Sequence, residues 1–177
     1  MTTLELLQRT RAAWPSVRDA SEADKNRMLL SMADALSDRS GEILRANEED
    51  LAQAEGHISD VMLDRLRLDG KRILSMADGV RAIAALPDHT GRVLDEQVRP
   101  NGMRIQKLQR PLGQVAIIYE SRPNVTSDAA ALCLKSGNAC ILRGGKEAFR
   151  SCSAIVKALK DGILQAGGNP DALNLVQ

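Results

Sequence analysis

Apolar residues recur at helical spacing along the first ninety positions of the chain. Leu4 and Leu7 open a short helix that should end near Trp14-Pro15, because proline removes a donor and crowds the preceding turn. Ser21 followed by Asp24 reads as a helix start, the carboxylate favouring the positive end of the dipole. Behind it Met28, Leu29, Met32, Ala33 and Leu36 share one face, and Ile43, Leu44, Leu51 and Ala54 continue the period. Glu48-Glu49-Asp50 lies between these apolar positions and is expected to be a solvated helix face. Ile73, Leu74, Ala77, Val80, Ile83 and Ala84 predict another amphipathic helix, closed by Pro87.

Beyond residue 92 the period changes. Pro100-Asn101-Gly102 separates two short segments, 93–98 and 103–108, and Asn-Gly is a strong hairpin signal. Arg104, Gln106 and Leu108 alternate with Ile105, Lys107 and Gln109, so this ribbon is polar on much of its surface and either projects into solvent or pairs with another subunit. From Gly113 the pattern becomes strand, helix, strand, helix, strand. Residues 115–119 and 139–142 are short apolar strands, 127–136 and 147–166 are helices, and 173–176 begin a third strand. Gly137 stands where the first of these helices needs a left-handed residue to stop it. Continuous apolar strands alternating with amphipathic helices predict a parallel, doubly wound α/β sheet. The expected organisation is a helical part over 1–92, a β-hairpin over 93–110 and a βαβαβ unit over 111–177. Three parallel strands leave long unpaired edges, so the sequence reads as cut at residue 177.

Composition narrows the class. Hydrophobic residues make up 44% and charged residues 27%, an ordinary globular balance, while aromatics at 2% leave the core to Leu, Ile, Val, Met and Ala. The formal net charge of +1 is spread along the chain, which argues against a nucleic-acid surface. No apolar run approaches the roughly 20 residues of a membrane span, and the first residues carry no signal-peptide pattern. A soluble, cytoplasmic protein is expected. Cys133, Cys140 and Cys152 are odd in number and sit in apolar stretches, so they read as reduced, buried, structural thiols. His57 and His89 are not spaced with them as zinc ligands would be, and no metal site is expected.

Two loops carry the candidate chemistry. Arg143-Gly144-Gly145-Lys146-Glu147 joins the 139–142 strand to the helix that follows. Two glycines, the amides of a coming helix turn and two cations suit a phosphate, although a tight turn with surface cations fits the local pattern equally. It is not a Walker loop, since Cys140 and Glu147 occupy positions that need Gly and Ser or Thr, and no Gly-x-Gly-x-x-Gly is present. Glu120-Ser121-Arg122-Pro123-Asn124-Val125 follows the 115–119 strand. Ligands gather at the carboxyl ends of parallel strands, so both loops should face one crevice. Asn124 could donate to a developing oxyanion, with Pro123 restricting the turn that aims it, or it could be a turn residue without a catalytic role.

At Arg110-Pro-Leu-Gly113, Ser121-Arg-Pro-Asn-Val125, Cys133-Leu-Lys-Ser-Gly-Asn138 and Leu142-Arg-Gly-Gly-Lys-Glu147 the chain resembles the γ-glutamyl phosphate reductase (glutamate-5-semialdehyde dehydrogenase) family of the aldehyde dehydrogenase superfamily. The resemblance is close over 110–177, looser over the helical part, and looks like the family's N-terminal part only. It implies an aldehyde dehydrogenase type of Rossmann-like sheet. It also implies NADPH-dependent reduction of L-glutamyl 5-phosphate to L-glutamate 5-semialdehyde with release of phosphate, a step of proline biosynthesis. By that resemblance Asn124 is the oxyanion donor, and Ser121, Arg122, Pro123, Asn124, Arg143, Gly144, Gly145 and Lys146 line the NADP site, with Lys146 favouring NADPH. The family's cysteine nucleophile, which forms a thioester, lies beyond residue 177 and matches none of the three thiols here. A homo-oligomer formed through the hairpin and a glutamate 5-kinase partner are further expectations. A noncatalytic dinucleotide-binding or subunit-pairing module, and another acyl-phosphate or aldehyde dehydrogenase, are the alternatives.

Overall fold

A computed structural model describes residues 2–176. Five helices come first: α1 (Thr3–Arg18), α2 (Glu22–Asp38), α3 (Ser40–Ala54), α4 (Asp60–Leu66) and α5 (Gly70–Ala84). The hairpin β1 (Val93–Val98) and β2 (Arg104–Leu108) follows, then β3 (Gln114–Ile118), α6 (Asn124–Lys135), β4 (Ala139–Arg143), α7 (Phe149–Gln165) and β5 (Leu173–Leu175). A 3₁₀ turn over Lys146–Ala148 leads into α7.

The expected α/β architecture is present. β3, β4 and β5 form a parallel sheet in that order, with α6 and α7 as its crossovers. Right-handed crossovers along a monotonic strand order place both helices on one face. Alternation of side chains sends Cys140 and Leu142 to that face and Ile141 to the other. Asn174 pairs in register with Ile141, and its amide donates to Thr10 Oγ1 of α1 at 2.8 Å. Hence α1, which packs against all three strands, covers the second face. β4 is buried along most of its length, whereas Ile118 at the end of β3 is 76% exposed.

The helical part and the sheet share one core. α2 lays Met28, Leu29, Met32, Ala33 and Leu36 against α5 and α7, and α7 answers with Ile155, Leu159 and Ile163. The closest approach is at Gly162, where an added Cβ would lie 2.6 Å from the Met32 Cα. Only a residue without a side chain permits that helix contact. At the other end of α2, Lys25 is 1% exposed and its Nζ donates to Asp88 Oδ2 at 2.7 Å.

Local signals account for most element ends. Ser21 caps α2 by accepting from the Asp24 amide, and Gly137 stops α6 with φ +77°. In the hairpin, the Gly102 amide bonds the Arg99 carbonyl and the Arg99 amide bonds Met103, closing a three-residue loop with Gly102 at φ +83°. Every residue of β1 is exposed.

Three expectations are corrected. α1 runs past Pro15 to Arg18: Pro15 and Arg11 are exposed, so the carbonyl left without its partner faces water. Val17, fully buried, and Trp14, whose Nε1 donates to the Gly137 carbonyl at 3.0 Å, hold the last turn in place. Asp50 is not on a solvated face but 2% exposed. It accepts from the Ser151 amide and hydroxyl, each at 2.7 Å, and from the Arg150 amide at 3.3 Å, and so caps α7. Finally, the helix after β3 begins at Asn124 rather than at residue 127, directly behind Pro123, whose fixed φ suits a helix entrance.

Candidate functional site

Both loops singled out in the sequence lie at the carboxyl ends of neighbouring strands. The Tyr119 amide bonds the Arg143 carbonyl at 3.0 Å, extending the β3–β4 ladder by one rung and bringing the loops side by side. Ser121, buried, donates its hydroxyl to the Glu147 carboxylate and closes the junction. Beneath it lies a buried chain: Tyr119 Oη to Thr126 Oγ1 at 2.7 Å, and Thr126 Oγ1 to Cys152 Sγ at 3.4 Å.

Gly144 and Gly145 face close neighbours on the inner side of the loop. A Cβ on Gly144 would meet Cys152 Sγ at 3.1 Å and the Tyr119 ring at 3.3 Å, and one on Gly145 would meet Glu147 Oε1 at 2.6 Å. Neither has a positive φ; a side chain at Gly144 would be crowded by Cys152 and Tyr119, whereas at Gly145 it would meet only the movable end of Glu147. The outer side of the loop carries the positive charge. Arg143 and Lys146 are exposed, and no hydrogen bond within the described residues engages the amides of residues 144–147. Free amides beside two cations at a strand end suit a phosphate group. The α7 amides one turn on are already taken by Asp50, which confines any anion to the loop itself.

Arg122 and Asn124 turn elsewhere. Both are exposed, Pro123 between them is buried, and they line a pocket of about 330 Å³ with Asp64, Arg65, Arg67, Leu68, Arg72, Ser75, Met76 and Asp128. The eight residues taken as one site in the sequence thus divide into two neighbouring groups: Ser121 with the 143–147 loop, and Arg122 with Asn124 at the mouth of this pocket. Asn124 is the first residue of α6, where the helix dipole is positive.

The far wall of the pocket went unread in the sequence. It follows α4, a seven-residue helix too short to show a period, and its side chains become neighbours of α6 only through the packing of α5. The one signal available was the density of charge in Asp64-Arg65-Leu66-Arg67-Leu68-Asp69.

None of the three thiols is placed to attack a substrate. All are buried and unpaired. Burial pushes the Cys152 thiol above its ordinary range, and the nearby carboxylates of Asp50 and Glu147 push the same way. A hydrogen bond with Cys133, together with burial, pushes Cys140 far up. A thiol must ionise to act as a nucleophile. Among the described residues no group of three metal-binding side chains occurs, and no helix is long and apolar enough to cross a membrane.

Comparison with known proteins adds the following. No protein-family model matches the chain. A γ-glutamyl phosphate reductase of Neisseria meningitidis serogroup C is 54% identical over 175 residues, which are 99% of this chain and 42% of that protein. The crystal structure of γ-glutamyl phosphate reductase from Thermotoga maritima superposes with a TM-score of 0.95 at 38% identity, covering 98% of this chain and 42% of that one. A probable aldehyde dehydrogenase from Listeria monocytogenes shares the fold, with a TM-score of 0.70 at 13% identity over 97% of this chain and 35% of its own. The chain therefore spans about two-fifths of the length of the curated relatives it matches.

Proposed function

We propose that this chain is the dinucleotide-holding portion of a γ-glutamyl phosphate reductase, which reduces L-glutamyl 5-phosphate to L-glutamate 5-semialdehyde in the proline branch of amino-acid biosynthesis. The observation that carries the reading is the loop after β4, where four unengaged amides lie beside Arg143 and Lys146. The 54% identity to a reductase of that name supports the same reading.

NADPH supplies hydride when bound; the work of this chain is to hold it and to shape the reacting end of the substrate. The amides of 144–147, with Lys146 and Arg143, take the phosphate on the adenine ribose, and Ser121 fixes the loop by its bond to Glu147. Beyond Ser121 the chain passes Arg122 and Asn124, with Pro123 between them, at the mouth of the neighbouring pocket, where the reacting end of the dinucleotide would meet the substrate. At the start of α6, Asn124 donates its side-chain amide to the oxygen that gains charge as the acyl carbon is attacked. The nucleophilic cysteine comes from the remainder of the enzyme, so the present segment alone does not turn over.

Residues 1–92 and 111–177 act together as cofactor domain, and the hairpin over 93–110 pairs subunits of a homo-oligomer. Its solvent-facing apolar residues, Val93, Leu94, Val98, Met103 and Ile105, favour that role. A cytoplasmic location and association with a glutamate 5-kinase complete the proposal.

The test is phosphate-dependent reduction of NADP⁺ with L-glutamate 5-semialdehyde by the full-length enzyme that carries this segment. Asn124→Ala should lower kcat by about 10²–10³, the usual loss for one oxyanion donor. A wild-type enzyme without this activity would refute the function, and near wild-type kcat in a folded Asn124→Ala enzyme would remove Asn124 from the mechanism.

A further inference from the structure

The pocket at the mouth of α6 carries charge that the fold itself does not use. Arg65, Arg67 and Arg122 line it, and none forms an ion pair within the described residues. Facing them is Asp128, half-buried on α6 against Gly79 of α5, whose carboxylate has neither hydrogen bond nor cation partner there. Burial pushes the Asp128 carboxyl above its ordinary range, as expected of an acid lacking a counter-charge.

The wall bearing the arginines is built rather than loose. Asn47, 1% exposed, donates to the Leu66 carbonyl at 2.8 Å and accepts from the Leu68 amide at 2.7 Å, gripping the chain on both sides of Arg67. Arg72 donates to the carbonyls of Asp64 and Arg67 and pairs with the Asp64 carboxylate, so it serves the loop and not the cavity. A buried amide and an arginine thus hold Arg65 and Arg67 on a wall whose charge is not neutralised.

We propose that this pocket reads the amino-acid end of the substrate: Asp128 receives the α-ammonium, Arg65 and Arg67 the α-carboxylate, and Arg122, beside Asn124, the phosphate at the reacting end. Three unpaired guanidiniums against one unpaired carboxylate complement a dianionic acyl phosphate that bears a single ammonium group. Arg122 belongs to the reacting end because it lines the pocket together with Asn124, the proposed oxyanion donor two residues on. This assignment rests on the function proposed above and adds the substrate's recognition to it.

The experiment compares L-glutamate 5-semialdehyde with 5-oxopentanoate, which lacks only the amino group, in phosphate-dependent NADP⁺ reduction by the full-length enzyme. Asp128→Asn should raise KM for the amino substrate about tenfold or more and leave 5-oxopentanoate unchanged. Arg67→Gln should raise KM for both, since both carry the carboxylate. Equal effects of Asp128→Asn on the two substrates, or none on either, would overturn the assignment. Should Asp128→Asn fail to fold, the exposed Arg67→Gln decides, and an unchanged KM for both substrates counts against the pocket. Calorimetry of L-glutamate and glutarate binding separates this inference from the function. A wild-type enzyme that prefers L-glutamate but has no reductase activity would refute the function alone. An active enzyme in which Asp128→Asn leaves that preference intact would refute the pocket alone.

Discussion

Ser121 donates its hydroxyl to Glu147 and thereby turns the only acid of the loop after β4 away from its outer surface. Lys146, one residue earlier, is left exposed as the charge that an approaching ligand meets. NADPH differs from NADH by one phosphate on the adenine ribose, and charge-assisted hydrogen bonds contribute about 1.5–3 kcal/mol. Lys146→Glu in the full-length enzyme should therefore reduce kcat/KM for NADPH by about tenfold or more. NADH should suffer far less, and the NADPH penalty should shrink as salt rises. Equal losses for both cofactors would place Lys146 away from the ribose phosphate.

The isolated 177-residue chain is expected to show no phosphate-dependent reduction of NADP⁺, because its three thiols are buried out of reach and those of Cys140 and Cys152 are pushed above their ordinary range. Turnover abolished by Cys152→Ser or Cys133→Ser would contradict this.

Asp50 occupies three donors at the start of α7. Removing it strands the buried Ser151 amide and hydroxyl and the part-buried Arg150 amide, and hydrogen bonds to charged groups contribute about 1.5–3 kcal/mol. Asp50→Ala should destabilise the fold by about 2–4 kcal/mol in urea unfolding. Asp50→Asn, which still accepts, should lose less.

The Lys25–Asp88 pair gives stability a pH dependence. Burial opposes the charge on Asp88, but the Lys25 ammonium and bonds from Thr90 outweigh it and hold the carboxyl below its ordinary range. The unfolded chain therefore binds this proton more readily than the folded one. Its contribution is complete above the ordinary carboxylate pKa and is lost as pH falls through the lower folded value. Asp88→Asn should flatten that acid limb of the melting curve. It should also cost about 3–5 kcal/mol at neutral pH, because Lys25 stays buried without its counter-ion. An unchanged acid limb would exclude the pair as its source.

What the sequence disclosed were features whose cause is local. The Ser21 cap, the Pro100-Asn101-Gly102 turn, the Gly137 stop and the apolar strands each depend on residues within a few positions. Asp50 escaped because its partners lie about a hundred positions on, and a carboxylate among carboxylates looks like surface until α7 arrives. Pro15 misled because a helix end and a proline tolerated on an exposed helix face look alike without the Trp14 and Val17 anchors. The loops after β3 and β4 were legible as candidates, since strand ends gather ligands whatever the sequence. Their division was not: where Asn124 turns depends on α5, whose placement against α6 no short motif encodes.

The Gly162–Met32 contact has a practical consequence. It joins a helix from the first forty residues to one from the last thirty, with the exposed hairpin between them in the chain. A single protease cut at Gly102 would leave two pieces whose largest mutual surface is intact, so nicked protein should elute as one particle and melt in one transition. The same property makes the 99–103 turn a place to split the chain into fragments that reassemble on mixing. Gly162→Ala, by prying α2 from α7, should abolish that reassembly before it unfolds the uncut chain.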